Sequence, residues 1–230
     1  MATMRGIDIG GSANADFDVS LVRDQIDFCI VKATEGRDWT NKWCDREVQK
    51  CIRYGIPWGF YHYARNNDPV AEADFFVRDC WNYFGDGIPV LDWEVDQSID
   101  WVNKFLQRVH DKTRVWCWVY GNAWRFDQGK VNGECDRWVA RYPIKLTSLN
   151  ADLSKWSNKV DGLLCCWQFS ESIKLKGYSG TVDGDIFYGS ADQWRAYARG
   201  DRGDEDTTAP LPIITVEDDK YRVDITPKRY

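Results

Sequence analysis

Apolar positions along this chain fall into two alternating rhythms. Short, almost continuous apolar runs read as strands at "RGIDIG" (5–10), "DFCIVKATEG" (27–36), "PWGFYHYA" (57–64) and "IPVLDWEVD" (88–96). Between them the apolar residues recur at helical spacing. Residues 41–55 place Trp43, Val48, Cys51 and Ile52 on one side and stop at Gly55, residues 68–85 open with Pro69 and close with Gly85, and residues 98–113 form a third helix. Further strands are expected at 114–121, 136–142, 163–170 and 183–189, on shorter connections, with a last helix at 190–200. Strand, helix, strand repeated in this way predicts a parallel sheet, and strands apolar on both faces predict a sheet covered on both sides. About eight such strands favour closure into a barrel. The few helices in the second half make that barrel irregular, so the expected class is α/β, an irregular (β/α) barrel of about eight strands with a reduced number of helices.

The texture changes near residue 200. "GDRGDEDTTAPLP" is charged and broken by Gly and Pro, as linkers are, and "IITVEDDKYRVDI" reads as two short strands around Asp218 and Asp219. The expected organisation is a catalytic barrel over 1–199, a linker over 200–212 and a short hairpin-like tail over 213–230. A lone two-stranded hairpin is marginal in water, so this tail must pack on something. The barrel of its own chain, the tail of a second copy and disorder are the alternatives, of which pairing with a second copy, giving a homo-oligomer, is favoured.

Composition narrows the function. A net charge of -6 and no basic block argue against nucleic-acid binding. No run approaches the length of a membrane span, and "MATMRGIDIGG" lacks the apolar core of a signal peptide, so synthesis in the cytoplasm is expected. The eight cysteines show no CxxC pair and there are only two histidines, so reduced, buried cysteines and no metal or other cofactor are expected. Thirteen Trp and eleven Tyr suit a core, and they also suit flat apolar ligands such as sugar faces.

The unusual stretch is "VLDWEVD" (90–96), an apolar strand that runs into acids. Asp92 and Glu94 are two apart, so in a strand they share a face. Other polar groups fall near the same end of the expected barrel: Asp8 in the first strand, Thr34 and Glu35 ending the second, and Tyr61 and His62 in the third. Tyr120 and Asn122 lie at the fifth, Gln168 at the seventh, and Asp183 opens the eighth. Acids converging from strands one, four and eight would make a site, and crowding would keep at least one of them protonated near neutral pH. One protonated and one ionised acid are the equipment of glycoside hydrolysis. A hard-cation site and a structural charge network are the rival uses of clustered acids. Trp93, Trp116, Trp118 and Trp167 favour the sugar reading.

The segments "GIDIG", "FCIVKATEG", "GIPWGFYHYA", "PVLDWE", "VYGN", "RWVARY", "CCWQFS" and "VDGDIF" resemble, in order, those of the glycoside hydrolase family 25 lysozymes, covering residues 5 to about 198. The resemblance implies a flattened barrel with an acidic groove. It also implies cleavage of the bond between N-acetylmuramic acid and N-acetylglucosamine in peptidoglycan, as in phage endolysins that act on the wall after release. Carried over by position, Glu94 would be the general acid, Asp92 would polarise or orient the reacting groups, and Asp8 and Asp183 would complete the catalytic set. Tyr61, Tyr120, Glu35, Trp167, Gln168 and Tyr142 are the expected substrate contacts. "IGGSANADFD" departs from the family pattern after Asp8, which puts the rim of the groove in question. A chitin-directed hydrolase and a non-catalytic carbohydrate-binding module are the alternatives.

Overall fold

The computed structural model describes residues 2–200 and the backbone of two tail strands, 213–217 and 220–224. Eight strands close into a ring: β1 (Met4–Ile9), β2 (Phe28–Glu35), β4 (Trp58–Tyr63), β5 (Ile88–Asp92), β6 (Trp118–Asn122), β7 (Arg137–Ala140), β8 (Leu164–Ile173) and β9 (Val182–Phe187). The two-residue β3 (Trp39–Thr40) folds back on the end of β2. Closure comes from β1, which pairs with β2 on one side and β9 on the other.

The sheet is not wholly parallel, which corrects the sequence expectation. β9 runs antiparallel to both β8 and β1. The connection from β8 to β9 spans only the residues between Ile173 and Val182, too few for the helical crossover that a parallel partner needs.

Helices cover part of the outside: α1 (Cys44–Tyr54), α2 (Pro69–Asp79), α3 (Ile99–Thr113), the short α4 (Ala123–Phe126) and α5 (Ala191–Arg199). Their ends follow local rules. Asp68 and Ser98 cap α2 and α3 by accepting from Ala71 and Trp101 N–H, and Gly55 takes the left-handed conformation that ends α1. Between β7 and β8 there is no helix, so the barrel is open to solvent-facing loops there.

Strand alternation divides the core in two. Outward residues such as Ile7, Val31, Phe60, Leu91, Val119, Val139 and Phe169 pack under the helices and loops. Inward residues Met4, Phe28, Ile30, Ile88, Val90, Trp118 and Phe187 fill the lower barrel. Trp194 of α5 enters that lower end, against Phe28, Trp118 and Phe187, and its indole donates to the Trp58 carbonyl at 3.0 Å. All eight cysteines are buried and free. The tail strands β10 (Ile213–Glu217) and β11 (Lys220–Asp224) pair antiparallel with each other in a separate sheet, as a hairpin would. The expected linker falls on residues outside the described ones, apart from Gly200.

Candidate active site

Each inward column changes character as it climbs. Along β5, Ile88 and Val90 are core, Asp92 is the last inward residue of the strand, and Glu94 lies just past its end. Trp93, of opposite parity, is fully buried on the outer side, and its N–H donates to the Tyr120 carbonyl, which extends the strand-like path to Glu94. β1 reads the same way, with Met4 and Gly6 below Asp8. The upper barrel is therefore a polar layer on an apolar floor.

That layer opens into a groove of about 460 Å³, within the range of ligand sites. Asp8, Glu35, Tyr61, Asp92, Glu94, Tyr120, Gln168 and Asp183 all line it, as expected from the sequence. Asp183 gets there because β9 is reversed: opening an antiparallel strand, it pairs in register with Asp8. In a parallel strand the same residue would stand at the opposite end of the barrel. Asp92 ends β5 and Glu94 follows it, and β9 is four strands away around the ring of eight, so two acid-bearing walls face each other.

Other expected residues are elsewhere. Trp167 alternates with Gln168, so it faces out of the barrel, packs in the outer core and donates to the Arg141 carbonyl at 2.7 Å. Tyr142 does not line the groove; its hydroxyl donates to Gln168 from the side. His62 and Thr34 face outward and are fully buried, with Thr34 Oγ1 2.8 Å from His62 Nδ1 and His62 Nε2 3.0 Å from Glu72. Thr34 loses its place because the register shifts between Lys32 and Thr34, which leaves Lys32 and Glu35 on the groove side. Asn122 is exposed outside the groove. Trp93, Trp116 and Trp118 line no part of it either; Trp116 stacks on His110 at 3.8 Å.

The aromatic walls come instead from Trp39, Tyr61, Tyr63, Tyr120 and Trp138. Lys32, unremarked in the sequence, is the cation of the groove. It pairs with Glu35 at 2.6 Å and lies 4.5 Å from the Tyr63 ring centre. Gly10, Gly11, Ser12 and Ala13 form the rim beside Asp8, so the departing segment does border the site.

Electrostatics follow from burial. Asp92 is pushed well above the usual carboxylate range by burial and then by Glu94, with Lys32 opposing. Its Oδ1 is buried without a hydrogen-bond partner, as suits a neutral carboxyl. Burial and Asp8 raise Asp183 to about 8. Burial also raises Asp8, to about 6, against the hydrogen bond from Gln168 Nε2 at 2.7 Å. Gln168 is oriented in turn by the Tyr120 hydroxyl, which donates to its Oε1 at 2.8 Å. Near neutral pH the groove thus holds neutral and ionised carboxyls side by side, the division of labour acid catalysis requires.

Asp185 was also missed. It is fully buried one layer beneath the groove and accepts from the Trp138 indole at 2.8 Å. The signal was present, since Asp183 and Asp185 repeat the two-residue spacing of Asp92 and Glu94.

Comparison with known proteins bears on this geometry. The family model described as Glycosyl hydrolases family 25 matches residues 7–178. The autolytic lysozyme of Clostridium acetobutylicum is 28% identical over 192 residues, covering 80% of this chain but only 56% of that protein. Lysozyme M1 of Streptomyces globisporus is 28% identical over 220 residues, covering 85% of this chain and 71% of that one. The solved structure of the CTP1L endolysin superposes with a TM-score of 0.62 at 25% identity, covering 85% of this chain and 69% of the other.

Proposed function

Because this chain belongs to glycosyl hydrolases family 25, we propose that it hydrolyses the β-1,4 bond between N-acetylmuramic acid and N-acetylglucosamine in peptidoglycan. The observation that carries the reading is the pair of facing acid walls, Asp92 and Glu94 against Asp8 and Asp183, in a groove sided by aromatic rings. Glu94, exposed at the top of its column, is the proton donor to the leaving oxygen. Asp92 lies below it and orients the reacting groups. Tyr61, Tyr63 and Trp39 offer faces for sugar rings, and Lys32 supplies a positive charge for an acidic substituent.

Two routes complete the cleavage. Either the 2-acetamido group of the substrate attacks the anomeric carbon, with retention, or a water activated at the Asp8 and Asp183 wall attacks, with inversion. An early-time NMR spectrum of the product anomers separates them. The reaction itself is tested by digesting purified cell walls and sequencing the fragments by mass spectrometry. Fragments ending in reducing muramic acid support the proposal, and fragments ending in reducing N-acetylglucosamine, or none at all, overturn it.

The biological setting is read as that of a phage or prophage endolysin, made in the host cytoplasm and acting on the wall after release. The likeness to the CTP1L endolysin supports this, while the Clostridium autolytic lysozyme supports a cellular autolysin. Expression in a wall-sensitive host distinguishes them. Lysis only after the membrane is breached supports the endolysin role, and unaided export overturns it.

A further inference from the structure

We propose that Asp185 is a buried proton donor to Asp8, a positioning residue that fixes the groove carboxylate from the layer beneath without touching substrate. This rests on the reading of Asp8 as part of the active site. The geometry comes from β9. Asp183 pairs with Asp8 in register and Asp185 with Gly6, so both acids of "DGD" point inward, one at groove level and one below. Gly6 has no side chain to fill that lower layer, and a Cβ there would lie 2.4 Å from the Phe28 ring.

Its two oxygens have different fates. Oδ1 accepts from the Trp138 indole N–H at 2.8 Å. Oδ2 is buried with no hydrogen-bond partner, while Asp8 stands one inward step above Gly6 on the neighbouring strand and interacts with Asp185 electrostatically. Two carboxylates have only acceptors to offer each other, so the contact is repulsive unless one oxygen carries a proton. The fully buried member is the one that keeps it, because ionising there exposes a charge to no solvent. Asp8 is held as the charged partner by the Gln168 amide, which donates to its Oδ2 at 2.7 Å.

The groups nearest this pair are neutral or acidic, and the groove's cation, Lys32 on β2, is paired with Glu35. Asp183 stands beside it on β9 and Cys166 faces it from β8. Glu94, Tyr61 and Tyr120 line the groove with Asp8, and Tyr142 acts on it from beside Gln168. With no cation paired to Asp8 among the described contacts, a proton on Asp185 is what allows Asp8 to be ionised in this position.

The test compares Asp185→Asn with Asp185→Leu in the full chain. Asparagine keeps a donor toward Asp8 and an acceptor for Trp138 but cannot lose its proton; leucine keeps neither. A hydrogen bond to a charged group is worth about tenfold or more. Wall-clearing turnover of the asparagine variant should therefore exceed that of the leucine variant by about that factor, with KM alike. The alkaline limb of the activity profile should move to higher pH in the asparagine variant. Equal turnover in the two variants with an unmoved profile overturns the proposal. Infrared spectra of the free protein near pH 8 give a readout independent of any activity. Loss of one neutral-carboxyl band in Asp185→Asn supports the pair, and an unchanged set of bands overturns it. A chain that clears no wall would sink the muramidase reading and leave the infrared result standing.

Discussion

Parity decides what each side chain of this site can do. Asp92 and Glu94 share the inward column of β5, and Trp93 between them is buried outside. Replacing Glu94 by Gln keeps shape and removes the transferable proton, so wall lysis should fall at least a hundredfold with the fold intact, as a general acid is worth roughly two to four orders of magnitude. Near-normal lysis by Glu94→Gln would dismiss Glu94 as the donor. Arg125 holds the Glu94 segment from behind. Almost buried, it donates to the Glu94 carbonyl at 2.6 Å and lies between the Trp93 and Trp124 rings, 5.7 and 4.3 Å from their centres. Arg125→Met should lower kcat by about tenfold with a smaller change in KM, since the segment loses a charge-assisted hydrogen bond. Steady-state kinetics on soluble wall fragments checks it, and an unchanged kcat refutes it. The acids of the groove were legible in the sequence because spacing by two survives in any strand. Trp167 was misread because proximity in sequence to Gln168 is, in a strand, opposition in space.

Among the elements, every barrel strand was visible as an apolar run, and the main helices by their spacing and caps. The direction of β9 was not visible, because apolar content carries no sense of direction. The short connection before it was the available clue. The shifted register in β2 was equally hidden, and it is why Thr34 turned out to face away while Lys32 entered the groove. Closure at β1 and β2 depends on a close approach of two backbones. A Cβ on Gly6 would stand 2.5 Å from the Phe28 carbonyl oxygen, and backbone cannot yield as a side chain does. Gly6→Ala should therefore destabilise the chain by about 1–3 kcal/mol or more, by overpacking. Denaturant unfolding measures this, and a stability equal to the parent would show that the seam is looser than described.

For the molecule as a whole, acids buried together set a pH dependence. Asp8, Asp92, Asp183 and Asp185 all bind protons more tightly in the folded chain than in the unfolded one. Each such raised group contributes stability that is complete below its unfolded value and is lost as pH rises through its folded value. His62 acts oppositely: buried and lowered, it costs stability as pH falls below its ordinary value. Four acids outweigh one imidazole, so thermal stability should be higher near about pH 5 than near about pH 8. Melting curves across that window test the sign, and a Tm that rises steadily toward pH 8 would contradict it.

The position of α5 has a practical meaning for anything attached to this barrel. Trp194 seals the lower end, and Gly200 follows so closely that a Cβ on it would touch the Arg114 carbonyl, just ahead of β6. Gly200 thus stands on the side of the barrel opposite the groove. A fluorophore, a bead or a second protein joined after Gly200 would hang from the sealed end, and the catalytic mouth would face outward, toward whatever surface the tethered barrel meets.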